Sequence, residues 1–119
     1  MLVMASPALA HHSAAAEYEA GVILLRGTVA KVDWMNPHVW IFLDVTDANR
    51  KVTQWQCEGS SPNGLVSNGW RKGLLKAGDR VTMECSRAKD RPNDACKIRA
   101  VTLPDGTRLT MGSSAAKQK

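Results

Sequence analysis

The feature that most constrains this chain is an alternating stretch that follows an Asn-Pro pair. From His38 to Val45, an aliphatic residue occupies every odd-numbered position. A period of two is that of a β-strand with one face toward a core. Asn36-Pro37 favours a turn before this strand, because proline fixes its own φ and pushes the preceding residue out of the helical region. The sequence therefore predicts a corner followed by a strand.

Alternation elsewhere predicts four more main strands and a short return strand, and the polar segment after residue 58 predicts one short helix. Ser61 can cap exposed backbone N–H groups, Pro62 is tolerated in the first helical turn, and Gly69 is a natural end. The predicted elements are strand one at 22–34, strand two at 38–45, strand three at 51–58, the helix, strand four at 81–86, strand five at 96–101 and a short return strand at 107–111.

Three strands, one short helix and two strands is the order of the OB-fold. A chain of 119 residues is long enough for one such domain and too short for two. A small all-β sandwich is the alternative, but it would need more turns between more strands. We therefore predict an all-β chain with one short helix, folded as a five-stranded OB-like Greek-key barrel.

The alternation also predicts which side chains share a face. Gly27, near the start of strand one, is a position at which a bulge or sharp bend is tolerated. The predicted faces are Thr28, Ala30, Val32 and Trp34 on strand one, Thr53, Trp55 and Cys57 on strand three, Val81, Met83 and Cys85 on strand four, and Cys96, Ile98 and Ala100 inward on strand five, with Lys97, Arg99 and Val101 facing the other way.

The first ten residues predict export. They carry no charge and end in Ala8-Leu9-Ala10, which matches the small-x-small pattern that signal peptidase cuts. Because the apolar part is short and no Lys or Arg precedes it, we interpret residues 1–10 as the remnant of a signal peptide. Cleavage would make His11 the N-terminus. We predict a periplasmic or secreted protein with an N-terminal arm at 11–21, the barrel at 22–111 and a disordered basic tail at 112–119.

The charge balance is basic, with a formal net charge of +5 at pH 7. Such a balance would suit an acidic partner or an anionic surface, although a solvated basic surface is the simpler interpretation. No apolar run approaches the roughly 20 residues that a helix needs to cross a bilayer. The sequence therefore predicts no transmembrane span.

The three cysteines, Cys57, Cys85 and Cys96, lack the Cys-x-x-Cys spacing of a zinc site or a thioredoxin-like motif. In an oxidising compartment one pair could be bonded. We expect Cys85 to pair with Cys96, because each lies on the apolar face of its own strand and the two strands are neighbours. Cys57 would then be left over. The alternative is a set of small buried thiols, since free cysteine is among the most buried residue types.

A set of short motifs spans nearly the whole chain after residue 10. They are His11-His12-Ser13, Gly27-Thr28-Val29, Trp34-x-Asn36-Pro37-His38-x-Trp40, Glu58-Gly59-x-Ser61-Pro62-Asn63, Gly69-Trp70, Leu75-Lys76-x-Gly78-Asp79 and Leu103-Pro104-Asp105-Gly106. Together they resemble a family of small exported bacterial proteins catalogued only as a domain of unknown function. The resemblance implies an exported barrel that begins with paired histidines, and it implies no activity.

A metal site at the processed N-terminus is the sharpest chemical hypothesis. A terminal His11 can chelate with its α-amino and ring nitrogens, and His38 or His12 would supply a third nitrogen in an arrangement that copper(II) prefers. The α-amino group of a short peptide has a pKa of about 8, so a strongly bound metal can displace its proton at neutral pH. Met35 could add a soft ligand for copper(I). Alternatively, the paired histidines are a solvated end and His38 is a packed barrel residue.

Binding by the barrel surface is the second hypothesis. OB-folds bind oligonucleotides or oligosaccharides across strands two and three with aromatic platforms. Trp40 and Phe42 share one face of strand two, and Trp34 lies at the corner before it. An exported location argues against nucleic acid and favours a partner protein, a peptide, a glycan or a lipid head group. Alternatively, these aromatic residues fill the core or plug the barrel ends.

Catalysis has the weakest support in the sequence. Asp44, Glu58 and Glu84 fall on different strands with no spacing that pairs carboxylates for acid–base work. No Gly-Lys-Ser/Thr phosphate loop occurs, and Gly59-Ser60-Ser61 is not a nucleophile elbow. We therefore predict a non-enzymatic binding or accessory module, with copper as the first hypothesis and metal-free recognition by the tryptophan-bearing face as the second.

Overall fold

Five strands close into a barrel in the computed structural model, which describes residues 18–89 and 94–111. The predicted leader at 1–10, His11, His12 and the tail at 112–119 lie outside the described residues. The elements are β1 Ile23–Asp33, β2 Trp40–Thr46, β3 Val52–Glu58, α1 Pro62–Ser67, β4 Arg80–Arg87, β5 Ala95–Thr102 and a short β6 Arg108–Thr110.

The strand pairing is that of an OB-like barrel and confirms the predicted fold. β1 pairs antiparallel with β2 and with β4, β2 pairs antiparallel with β3, and β4 pairs antiparallel with β5. A short parallel ladder between β3 and β5 closes the ring. The sixth strand, β6, extends the sheet beside β5. Among the described residues, no helix is long and apolar enough to cross a membrane.

The helix lies between β3 and β4, as the sequence predicts. The Ser61 hydroxyl accepts a hydrogen bond from the Gly64 N–H at 3.1 Å, so it caps one of the backbone donors that a helix start leaves unpaired. Pro62 occupies the first turn. Gly69, just past the end of the helix, has a φ of 96°, a backbone conformation that glycine adopts most easily.

The core is built mainly from the predicted alternating positions. Val39, Ile41 and Leu43 are almost fully buried, and Trp55 and Cys57 of β3 lie in the same cluster. Trp70, after the helix, is also buried, and its indole N–H donates to the Thr110 carbonyl at 2.9 Å. That bond satisfies the one polar atom of a large buried ring, which is what a tryptophan in a core requires.

A bulge in β1 makes one predicted face wrong. The register with β2 shifts between Val29 and Lys31, so the residue between them is extra and the side chains after it change sides. Val29, which precedes the extra residue, is therefore buried in the core. Val32 and Trp34, which follow it, are partly buried and pack against the same core. The predicted common face of residues 28, 30, 32 and 34 is split.

Gly27 is required for close approach and not for the bulge. A Cβ at this position would lie 2.5 Å from the Asp44 carbonyl oxygen and 2.9 Å from Leu43 Cγ. Distances below 3.0 Å are not tolerated by real Cβ atoms, and the nearest atom here is backbone. Glycine therefore lets β1 and β2 cross tightly at this point.

A second register shift makes the prediction for Val101 wrong. Glu84 pairs with Ala100 and Cys85 pairs with Ile98, so the residue between the two β5 positions has no partner in β4. The extra residue, Arg99, is exposed, and Val101 turns inward beside Met83, where it is fully buried. A bulge of one residue reverses the period-two alternation, and this reversal leaves no signal in the composition of the strand.

Candidate functional site

The corner between β1 and β2 brings His38 to the end of β3. The Asn36-Pro37 peptide bond is cis, and beyond it His38 Nδ1 lies 2.6 Å from Glu58 Oε2. Two backbone hydrogen bonds hold the start of β2 beside the end of β3. Val39 N–H donates to the Ser60 carbonyl at 2.9 Å, and Gly59 N–H donates to the Val39 carbonyl at 2.7 Å. His38 is therefore positioned by the main-chain bonds of Val39, the residue that follows it.

Glu58 also binds a residue from the start of the described chain. The Tyr18 hydroxyl donates to Glu58 Oε1 at 2.6 Å. The Tyr18 ring is buried with Ala88 and Ala95, and Glu19 N–H donates to the Arg87 carbonyl at 2.8 Å. These contacts fix Tyr18 and Glu19 against the end of β4 and the start of β5. We call this group the Tyr18–Glu58–His38 cluster.

The geometry of the cluster sets the orientation of the imidazole ring. A carboxylate accepts hydrogen bonds, so Nδ1 of His38 is the nitrogen that donates to Glu58. The other ring nitrogen, Nε2, is not used in this contact, and the His38 side chain is 43% exposed. Glu58 is 15% exposed, with one oxygen on Tyr18 and one on His38. The arrangement leaves Nε2 free of the Glu58 contact and placed to bind a metal ion.

The structure separates the three predicted aromatic binding residues. Trp40 and Phe42 lie on the outward face of β2, directly opposite Glu58 and Gln56 of β3. The Lys31 ammonium lies 4.7 Å from the centre of the Phe42 ring, a cation–π distance. We call this surface, with Trp40, Phe42 and Lys31, the outer aromatic face.

Trp34 belongs instead to a groove next to the corner. The groove has a volume of about 500 Å³. Met35, the predicted soft metal ligand, is exposed and lines the same groove as Trp34. His38 instead contacts Glu58, so the structure does not bring these two predicted metal ligands together. The lining residues are Val32, Asp33, Trp34, Met35, Lys72, Gly73 and Leu75.

The three cysteines are free and buried, and they form a chain of contacts inside the barrel. Cys96 interacts with both Cys85 and Cys57. The hydrogen bond with Cys96 and burial both raise the pKa of the Cys85 thiol. The hydrogen bond with Cys57 raises the pKa of Cys96, and burial adds to this effect. Cys57, which the sequence leaves over, is therefore a direct neighbour of Cys96.

In the part of the chain that the structure describes, no group of three or more His, Cys, Asp or Glu residues is placed to hold a metal ion. His11 and His12 lie outside the described residues, so the predicted copper ligands are represented only by His38 and Met35. The sequence did not predict Tyr18 or the role of Glu58. Glu58 meets His38 through the antiparallel pairing of β2 with β3, and Tyr18 reaches Glu58 from 40 residues away, a separation that no local pattern reveals.

Comparison with known proteins identifies a family whose function is unknown. A family model described as a family of unknown function, DUF6152, matches residues 1–96. No curated protein and no solved structure matches the chain. The matched segment includes the corner with His38, the end of β3 with Glu58, and all three cysteines. Since the match covers well over half of its length, the chain belongs to the family of unknown function DUF6152.

Proposed function

We propose that this chain is an exported, non-enzymatic binding module that holds copper through a processed N-terminal His11, with His38 or His12 as a further ligand. The contact between His38 Nδ1 and Glu58 Oε2, at 2.6 Å, carries the proposal. Histidines that bind metals commonly donate their other ring N–H to a carboxylate, which fixes the tautomer and the ring orientation. Glu58 would do this for His38 and leave Nε2 for the metal.

The position of Tyr18 supports His38 as the third ligand. Tyr18 donates a hydrogen bond to the same carboxylate that contacts His38, so the chain is anchored at the cluster from Tyr18 onward. His11 is seven residues before Tyr18 in the sequence. A chain of that length spans at most about 25 Å, at roughly 3.5 Å per residue. A segment of this reach would let His11 approach His38, and the tether at Tyr18 would raise the effective concentration of His11 there.

The ligand chemistry favours copper over other divalent metals. An α-amino nitrogen with imidazole nitrogens suits the tetragonal geometry of copper(II), and this metal is bound most tightly by nitrogen ligands in the first-row series. Met35 would add a thioether ligand for copper(I). Its position in the groove beside Trp34 does not bring it to His38, so the site does not depend on it. The proposal rests on His11 and His38, and Met35 is an optional ligand.

The test uses protein whose first residue is His11. Copper(II) is titrated by calorimetry and followed by electron paramagnetic resonance, beside a control with one extra residue before His11. We expect one-to-one binding with nitrogen hyperfine structure that the control loses. His38→Gln should remove one nitrogen from the spectrum if His38 is the third ligand, and His12→Gln should do so if His12 is. Equal weak binding by both proteins would exclude the site.

The outer aromatic face supports a second function, which is metal-free recognition of a partner protein or small ligand. Trp40 and Phe42 are only half-buried although they are large apolar rings, and the Lys31 ammonium lies over the Phe42 ring. OB-folds use the surface of the second and third strands to bind oligosaccharides and oligonucleotides. An oligosaccharide titration followed by the indole N–H signals should shift Trp40, and Phe42→Ala should weaken the effect. His11→Gln should leave this binding unchanged, which separates the two functions.

A further inference from the structure

Three buried thiols lie in contact inside the barrel, and the middle one decides which bond can form. Cys96 of β5 contacts Cys57 of β3 on one side and Cys85 of β4 on the other. The three side chains are at most 1% exposed. Only one disulfide can involve Cys96 at a time. Because both neighbours contact it, sulfur contact alone does not select the partner.

We propose that oxidation joins Cys57 to Cys96 and leaves Cys85 as the free thiol. The strand register carries this inference. Cys57 and Cys96 are direct partners in the parallel ladder, where neighbouring strands are about 4.8 Å apart, within the Cα range that a disulfide spans. The direct partner of Cys96 in β4 is Arg87, and Cys85 is displaced from it by two residues. Such diagonal neighbours are about 7–8 Å apart, which exceeds that range.

The bond would lie in the ladder that closes the barrel. β3 and β5 share three residue pairs, and Cys57 with Cys96 is the central one. The neighbouring pair is Glu58 with Lys97, and Ala95 on the other side packs against Tyr18. A bond at this position would fix the strand ends that carry the Tyr18–Glu58–His38 cluster. Cys85 with Cys96 would instead cross-link β4 to β5, which already share a longer ladder.

The oxidant is a small-molecule disulfide of the glutathione type. A thiolate of one cysteine attacks it to give a mixed disulfide, and the second cysteine displaces the remaining thiol. In total, two protein thiols and one oxidant disulfide give one protein disulfide and two small thiols. Since burial and hydrogen bonding disfavour the thiolate of Cys96 in the closed barrel, we expect the exchange during folding, while the strands are still open.

The first experiment maps the bond in the full chain. Reduced protein is refolded in a glutathione redox buffer, free thiols are alkylated, and the protein is digested without reduction for mass spectrometry. We expect a linked pair of peptides containing Cys57 and Cys96, with Cys85 alkylated. A link between Cys85 and Cys96, or complete alkylation of all three residues under oxidising conditions, would overturn the proposal.

Two matched variants measure the preference directly. Cys85→Ala allows only the bond between Cys57 and Cys96. Cys57→Ala allows only the bond between Cys85 and Cys96. We expect the equilibrium constant for disulfide formation against glutathione to be at least ten-fold larger in Cys85→Ala. Equal constants, or a larger one in Cys57→Ala, would contradict the register argument. If either variant fails to fold by near-ultraviolet circular dichroism, the peptide map of the unmodified chain decides. The experiment contains no metal, so its result is independent of the copper proposal.

Discussion

The two faces of the ribbon formed by β2 and β3 are held by different kinds of contact. On the inward face, opposed side chains fill the core, whereas on the outward face polar and aromatic side chains reach partners elsewhere in the chain. The inward pairs are Ile41 with Cys57 and Leu43 with Trp55, and the outward pairs are Trp40 with Glu58, Phe42 with Gln56 and Asp44 with Gln54.

The inward residues of the ribbon therefore stabilise the fold, whereas the outward residues position the candidate site. An inward residue contributes through the apolar area that it removes from water, so its effect depends on size and burial. Glu58 contributes through two named hydrogen-bonding partners, Tyr18 and His38, which lie far from it in the sequence. Substitutions on the inward face should therefore change the free energy of unfolding most, and substitutions on the outward face should mainly change the position of His38.

The largest effect is expected for Leu43→Ala on the inward face. Leu43 is completely buried, and a leucine-to-alanine change in a core typically costs about 2–5 kcal/mol because a cavity remains. Equilibrium urea unfolding followed by tryptophan fluorescence measures this loss. Val52→Ala, on the exposed outward side of the same ribbon, is the control and should change stability by less than about 0.5 kcal/mol. Similar losses for both variants would mean that the two faces are not distinct.

A smaller loss is expected for Gly27→Ala, which tests how tightly β1 lies against the ribbon. The new Cβ would meet the Asp44 carbonyl oxygen at 2.5 Å, and backbone cannot move aside as a flexible side chain can. Overpacking of this kind typically costs about 1–3 kcal/mol. Gly21→Ala is the matched control, because a Cβ there meets nothing within 4 Å. Thermal unfolding should distinguish the two, and an unchanged midpoint for Gly27→Ala would contradict the close approach.

The inward face is also the part of the fold that the sequence predicts best. Strand β2 shows its buried positions directly because every second residue is aliphatic, and no bulge interrupts it. The same reasoning fails for Val29 and Val101, since one extra residue in β1 and one in β5 reverse the alternation. A bulge depends on the pairing of two strands, so a single strand does not contain the information.

The candidate site is predicted only in part for a related reason. The corner with His38 has a local signal in Asn36-Pro37, and the helix has one in Ser61-Pro62. Tyr18 lies in an Ala-rich segment that gives no indication of its contact with Glu58. The sequence favours Cys85 with Cys96 because β4 and β5 follow one another along the chain. The parallel pairing that also places Cys57 beside Cys96 joins β3 and β5, which are far apart in the sequence.

The outward face can be tested by a double-mutant cycle of Tyr18→Phe and Glu58→Gln. Tyr18→Phe keeps the ring that packs on Ala88 and Ala95 and removes the hydroxyl that donates to Glu58. A hydrogen bond to a charged group contributes about 1.5–3 kcal/mol, and we expect a coupling energy at the lower end of that range because the pair is only partly buried. The His38 ring signals in nuclear magnetic resonance should move in Glu58→Gln. A coupling energy near zero would show that the two groups act independently.

The smallest effect is expected on the outer surface of β4, where Glu84 meets Arg108. Arg108 Nε and Nη2 donate to the two Glu84 oxygens at 2.8 and 2.9 Å, but the pair is solvated, so salt and water weaken its net contribution. The hydrogen bond from Arg108 lowers the pKa of the Glu84 carboxyl below its usual range. Because the folded protein holds this carboxylate more strongly, the pair stabilises the fold above the usual glutamate pKa, and this contribution is lost as the pH falls through the lowered value.

Arg108→Gln tests whether such an outer contact behaves like the Tyr18–Glu58–His38 cluster or like an ordinary surface pair. We expect the titration midpoint of Glu84, measured from its carboxyl carbon signal, to rise toward the usual value, with a small fall in melting temperature at neutral pH that disappears in acid. Asp105 is an internal control, because its pKa is lowered by hydrogen bonds from Thr107 and not by Arg108. If Arg108→Gln left the Glu84 midpoint unchanged, the bidentate contact would be absent in solution. If it destabilised the fold as much as Leu43→Ala, the outward surface would contribute to stability in the same way as the inward one, and the distinction between the two faces would fail.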